Sequence, residues 1–148
     1  MKILANNKRA KFEYHIIEDF EAGLVLKGTE VKSLRFNTGN IQSSYIIEKN
    51  RELWMIEANI PKYKMATNIE QHDAKRMRKL LLHKREMQKL MTKIKTQGTT
   101  LIPLMMYFND RNKIKLKIAL AKGKNLRDKR ATIKERDLKR EAQKEFKI

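Results

Sequence analysis

The chain has 148 residues, of which 41% are apolar, enough for one buried core and too few for two independent domains. Its 35 Lys and Arg against 17 Asp and Glu leave a net charge of +18, a self-repelling surface that calls for a polyanionic partner, with nucleic acid ahead of an anionic membrane surface. Cysteine is absent, which excludes disulfides and thiolate metal sites, and the longest apolar run, Leu101 to Phe108, is too short to span a bilayer.

In chain order, the N-terminal MKILANNKRAK has neither the apolar core nor the cleavage site of an export signal, and it carries a first basic zone at Lys2, Lys8, Arg9 and Lys11. Phe12, Tyr14 and Ile16 alternate with Glu13 and His15, the period of a half-buried strand. Ala22 to Leu26 reads as a second strand. A short helix follows, with Thr29 as N-cap, Val31 and Leu34 on one face, and Asn37 with Gly39 as its stop. Tyr45 to Ala58 reads as a hairpin with Lys49-Asn50 at its tip, and residues 59 to 78 as a loop containing Pro61. Lys79 to Leu82 gives a brief strand.

Met87, Leu90, Met91 and Ile94 fall at i, i+3, i+4 and i+7, predicting an amphipathic helix that ends at Gly98. Thr100 to Phe108 is continuously apolar and predicts a strand buried on both faces, with Pro103 at an edge or bulge. Ile114, Leu116, Ile118 and Leu120 then alternate with Lys113, Lys115, Lys117 and Ala119, a strand with a lysine face. The pattern predicts a mainly β fold, a small oligonucleotide-binding-type β-barrel with two or three short helices over residues 1–121.

Residues 122–148 are different in kind. They hold 11 Lys or Arg and 5 Asp or Glu and almost nothing able to fill a core. Thr132 and Glu135 form a capping box, but the apolar line of Leu138, Ala142 and Phe146 is narrow, and like charges meet at Arg136 with Arg140 and Arg140 with Lys144. The expectation is a basic tail, disordered when free and helical when bound.

Catalysis finds little support. There is no HExxH, no GxSxG and no phosphate-binding GxxxxGK[ST], and His72-Asp73 reads as an ordinary polar loop pair. Glu18, Asp19 and Glu21 raise a metal-dependent nuclease as an alternative; a solvated acidic strand, or a carboxylate that accepts hydrogen bonds from base edges, is the plainer reading. Tyr63 and Phe36 could stack on unpaired bases or pack locally, while Trp54 and Tyr107 read as core. A structural ribosomal protein is the other alternative for a small, basic, tailed chain.

Three strings go further than composition: NKRAKFEYHIIEDFEAGLVLKGTEVKSLR from Asn7 to Arg35, RKLLLHKRE from Arg78 to Glu86, and ALAKGKNLRDKRATIKERDLKRE from Ala119 to Glu141. In order and over nearly the whole chain they resemble the bacterial SsrA-binding proteins, the small protein B family. The resemblance implies a cytoplasmic, cofactor-free, non-catalytic adaptor that binds the tRNA-like domain of transfer-messenger RNA. It implies delivery to stalled ribosomes with elongation factor Tu and GTP after charging by alanyl-tRNA synthetase, with no membrane partner. The RNA-binding positions carried over are Asn7, Glu21, Leu81 and Lys115; to these are added the basic candidates Lys8, Arg9, Lys11, Arg35, Lys79, Lys122 and Lys124. The decoding centre and empty mRNA channel would be met by Arg127, Asp128, Lys129 and Arg130, continuing into Ile133, Lys134, Glu135 and Arg136.

Three departures bear on that transfer. Ala74 and Met77 stand where family members commonly have prolines. Asn37, Thr38 and Gly39 replace a Gly-Lys-Ala pattern and remove a lysine. Arg127 takes the place of a His or Tyr, so any stacking there falls to a guanidinium.

Overall fold

A computed structural model describes residues 2–36, 38–67, 69, 71–124, 136 and 140. Its elements are β1 (Lys2–Asn6), α1 (Ala10–Glu13), β2 (Tyr14–Leu24), α2 (Gly28–Leu34), β3 (Tyr45–Lys49), β4 (Glu52–Ile56), β5 (Arg78–Leu81), α3 (Lys84–Gln97), β6 (Thr100–Phe108) and β7 (Ile114–Gly123). The mainly β expectation holds. The strands form one antiparallel sheet in the order β1-β6-β7-β2-β5-β4-β3. It curls until β3 comes near β6, but among the described residues no hydrogen-bonded ladder joins its two edges, so the barrel is open.

The long period-two elements come out where the pattern put them. Leu116, Ile118 and Leu120 of β7 are buried while Lys115 and Lys117 point the other way. In α3, Leu90 is fully buried, with Met87 and Ile94 packed beside it against the core of Leu34, Leu53, Leu80, Leu101 and Met106. Gly98 ends that helix at φ +60, the left-handed region that glycine enters without steric cost. Pro103 sits at a bulge where β6 slips register against β7 between Pro103 and Met105, which lets a proline live in a strand paired on both sides.

Other elements differ from the expectation, each for a local reason. β1 was not foreseen, because its burial does not alternate: a register shift between Ile3 and Ala5 buries Leu4 and Ala5 together. Phe12 lies in a one-turn helix and not in a strand; Ala10, not Phe12, makes the buried contact there, with Ile102, Ala119 and Ala121. The two strands expected around Phe12 to Ile16 and Ala22 to Leu26 are a single strand of 11 residues, whose polar middle is simply its alternation.

The N-cap of α2 is Lys27, two residues before Thr29; the Glu30 carboxylate accepts the Lys27 N–H at 2.8 Å. The helix ends at Leu34, before Gly39, whose lack of a side chain serves packing: a Cβ there would stand 2.7 Å from Leu34 Cδ2. The β3–β4 turn lies one residue later than expected, at Asn50 and Arg51, both with positive φ (54 and 62), as a two-residue hairpin turn requires. Trp54 is only half-buried on the outer side of β4, across from Lys79, while Leu53 and Met55 take the core positions assigned to it.

Candidate nucleic-acid interface

The outer face of β2, β7 and β6, with the adjoining α1 and β5, gathers Asn7, Lys8, Lys11, Glu21, Leu81, Lys115 and Lys124, seven of the eleven RNA-binding candidates read from the sequence. Alternation sends Asp19, Glu21 and Gly23 outward from β2; their cross-strand partners are Ala119, Lys117 and Lys115. On β6, Met105 and Tyr107 stand opposite the same Lys117 and Lys115. Leu81 of β5 pairs with Gly23 and is 51% exposed, so this leucine faces solvent although its neighbour Leu80 is core. A Cβ at Gly23 would lie 3.2 Å from the Leu81 Cβ; a residue with no side chain is what lets Leu81 close over β2.

Two shallow depressions follow this face. The larger, about 710 Å³, is lined by Asn7, Lys8, Lys11, Asp19, Lys117 and Lys124 among others. A second of about 490 Å³ joins Glu21, Leu81, His83 and Lys115. Together they place lysine ammoniums, carboxylates and an apolar side chain along one surface. Chemically, such a combination is able to neutralise phosphates, accept hydrogen bonds from base edges and pack on a sugar or base face.

The three neighbouring acids are split. Glu18 turns away to α3, where hydrogen bonds from Lys93 and Lys89 hold its carboxyl below the usual carboxylate range. Asp19 lies 3.9 Å from the Lys117 ammonium. The Glu21 carboxylate accepts a hydrogen bond from the Tyr107 hydroxyl, and burial, with Glu21 adding to it, pushes that phenol up to about 12. Tyr107 is buried, as read from the sequence, and its hydroxyl adds a link to Glu21 on the outer face that the sequence did not show. Among the described residues no group of three His, Asp or Glu side chains is arranged to hold a metal ion.

His72 is also structural: its Nε2–H donates to the Ile60 carbonyl at 2.8 Å, and its Nδ1 lies 2.8 Å from the Thr29 hydroxyl. Asn7 is half-buried and pins the chain to β6, donating from its N–H to Leu104 O (2.8 Å) and from Nδ2 to Pro103 O (2.9 Å). Its side chain shapes the surface that presents Lys8 and Arg9, both exposed. Lys124 is tied to α1 through its backbone N–H to Glu13 O (2.9 Å) and its Nζ to Lys11 O (2.8 Å), so the tail departs from the edge of this same face.

Not every expected residue gathers here. Arg35 lines a separate depression with Lys2, Asn109 and Asp110 near the β6–β7 turn. Lys79 is on the outer side of β5 but paired to Glu52 at 3.0 Å. Lys122 is exposed opposite His15. Arg127, Asp128, Lys129, Arg130, Ile133, Lys134 and Glu135, with the capping box and Asn37, lie outside the described residues. Arg136 is exposed, its guanidinium 5.8 Å from the Phe12 ring centroid.

Tyr107→Phe should weaken RNA binding by about 3- to 10-fold, the worth of one hydrogen bond that orients Glu21. In the Glu21→Ala background the same change should have no further effect, as a titration double-mutant cycle would show. Additive losses would mean that Tyr107 acts independently of Glu21.

The family model described as SmpB protein matches residues 4–148. The chain belongs to the SmpB family. It is 53% identical over 140 residues to the SsrA-binding protein of Wolbachia sp. subsp. Brugia malayi (strain TRS), covering 95% of this chain and 93% of that one. It is also 53% identical to the SsrA-binding protein of Zymomonas mobilis subsp. mobilis, covering 95% and 87%. Among solved structures it resembles a chain of "tmRNA-SmpB: a journey to the center of the bacterial ribosome", with TM-score 0.66, 41% identity, and 82% of this chain and 84% of that chain covered. The SmpB family resemblance read from the three sequence strings is thereby confirmed.

Proposed function

We infer that this SmpB-family chain is a non-catalytic RNA-binding adaptor that binds transfer-messenger RNA and carries it to stalled bacterial ribosomes. The observation that carries the reading is the outer face of β2, β7 and β6, on a chain 41% identical to one from a transfer-messenger RNA–SmpB ribosome structure. On that face, Lys8, Lys11, Lys115, Lys117 and Lys124 would neutralise backbone phosphates of the tRNA-like domain. Glu21, held by Tyr107, would accept hydrogen bonds from the exocyclic amines of bases, which lysines cannot do. Leu81 would pack on an exposed sugar or base. No bond is made or broken by the protein; it supplies a surface. Work on the ribosome implies a cytoplasmic location, and no helix among the described residues is long and apolar enough to cross a membrane.

We assign residues 122–148 the second half of the task, entering the decoding centre and the vacant mRNA channel. The charging and delivery steps would fall to alanyl-tRNA synthetase and to elongation factor Tu with GTP, acting on the RNA.

Purification of the intact protein from cells should bring down a single RNA species with a tRNA-like end, sub-stoichiometric on ribosomes. Glu21→Ala and Lys115→Ala should each weaken binding of that RNA about 10- to 100-fold, the usual worth of a charge-assisted hydrogen bond. Unchanged affinity in both variants would remove the assigned face. Presence in every ribosome would make the protein a structural component.

A further inference from the structure

Away from that face, the end of α2 and the segment 61–65 enclose a depression of about 370 Å³ lined by Ser33, Phe36, Thr38, Pro61, Tyr63 and Met65. It shares no lining residue with the depressions at Glu21 or Asn7. Phe36 is 67% and Met65 83% exposed, although aromatic and thioether surface of this size is normally buried. The Phe36 and Tyr63 rings lie side by side, with centroids 6.4 Å apart and planes 20° from parallel.

The walls are fixed and their polar groups are already spent. Ser33 Oγ donates to Pro61 O at 2.6 Å, and Thr38 Oγ1 donates to Ser33 O at 2.8 Å. The Tyr63 backbone is gripped from both sides by Gln71, whose Oε1 accepts the Tyr63 N–H at 3.2 Å while its Nε2 donates to Tyr63 O. What remains open is a preformed aromatic surface with few groups left to read base edges.

Its rim is cationic. Lys32 Nζ stands 5.7 Å from the Tyr63 ring centroid, and Lys62 and Lys64 are exposed, neither paired with an acid among the described residues. Among the described residues no acidic one lines the hollow. An aromatic platform edged by three lysines matches an unpaired nucleobase flanked by its phosphates. An apolar peptide side chain would use the hollow but leave the lysines without counter-charge.

We propose that the Phe36–Tyr63 pocket is a second RNA contact, taking one unpaired nucleobase by stacking and holding its neighbouring phosphates through Lys32, Lys62 and Lys64. With its polar groups occupied, the pocket tolerates any base. It would seize a single-stranded stretch of whatever RNA the Glu21 face holds, or of the RNA around it. This site stands or falls independently of that face.

The test uses the full chain and a short oligouridylate carrying one 4-thiouridine, at about 200 mM salt so that diffuse lysine attraction is largely screened. Photo-cross-links should map to Phe36, Tyr63 or Met65. Phe36→Ala, at an exposed position where folding is not at stake, should lower oligouridylate affinity by about 5- to 100-fold, the range of one base–aromatic stack. The Lys62→Gln, Lys64→Gln double variant should flatten the salt dependence, and Phe36→Ala should lose more oligouridylate affinity than Glu21→Ala. Cross-links confined to the β2–β7 face, or an affinity indifferent to Phe36→Ala, overturn the proposal and leave the pocket to a protein partner. Equal losses from Glu21→Ala and Phe36→Ala would also overturn it, by making the two sites one.

Discussion

Deleting residues 128–148 is expected to abolish the tagging of unfinished peptides on stalled ribosomes while leaving affinity for transfer-messenger RNA largely intact. The segment removed has eight Lys or Arg and five Asp or Glu, so it takes away a net charge of +3 from a chain of +18. The lysines gathered on the outer face of β2, β7 and β6 stay in place. So does Lys124, whose hydrogen bonds to Lys11 O and Glu13 O precede the deletion. No apolar stripe in the deleted piece is wide enough to contribute to the core, and thermal unfolding of the truncated chain should match that of the full chain.

We propose that the deleted segment works as a helix in contact with the ribosome, since the Thr132–Glu135 capping box can start one and about 15 residues of self-repelling sequence would make it marginal alone. A narrow channel walled by phosphates would relieve that repulsion. The paired measurement is a filter-binding titration with the RNA beside a tagging assay on ribosomes stalled on truncated messages. A fall in RNA affinity that matches the loss of tagging would refute this division of labour.

The largest effect on stability is expected at Glu30. Its carboxylate is fully buried inside α2 and accepts hydrogen bonds from Arg78 Nε at 2.6 Å, from Arg76 Nη2, and from the Lys27 N–H at 2.8 Å. Arg78 is equally buried and also donates to Ala58 O (2.7 Å) and Ala74 O (3.0 Å), stitching α2 and β5 to the 58–74 segment. Glu30→Ala would leave that guanidinium buried without its ion-pair partner, at a cost of about 3 to 5 kcal/mol, a large share of the about 5 to 15 kcal/mol that holds a typical domain together. Glu30→Ala with Arg78→Met should cost less than Glu30→Ala alone, because the orphaned charge is gone. Denaturant unfolding of the RNA-free protein measures both, and a Glu30→Ala loss below about 1 kcal/mol would rule out the network as a stabilising element.

The same pair sets a pH dependence. Burial alone would raise the Glu30 carboxyl, but hydrogen bonds from Arg76, the Lys27 N–H and Arg78 outweigh it and hold the group below the usual carboxylate range. A carboxyl whose folded pKa lies below its unfolded one stabilises the fold fully above the unfolded value, and that stabilisation drains away as pH falls through the folded value. Wild-type stability should therefore drop on acidification more steeply than that of Glu30→Ala, and the gap between them should narrow in acid.

How much of this was legible depended on where each signal is stored. α3, β6 and β7 could be read directly because each carries its own apolar pattern, a period in α3 and β7 and a continuous run in β6, and the tail because charge composition needs no neighbours. β1 and β2 were obscured by a register shift and a polar middle, which only pairing partners make sense of. For the candidate interface, the individual residues Glu21, Leu81 and Lys115 came from motif resemblance. Their meeting on one face came from cross-strand register.

By itself, the sequence determined the mainly β class, the excess of positive charge, the basic tail and the family. Only the tertiary structure decided that Glu18 parts from Asp19 and Glu21, that Tyr107 finds Glu21 across 86 positions, and that Glu30 and Arg78 share a buried site 48 positions apart. The physical reason is that period and composition are local properties of a chain. Hydrogen-bond partners, burial of a charge and the single exposed face of Leu81 are set by which strands lie side by side.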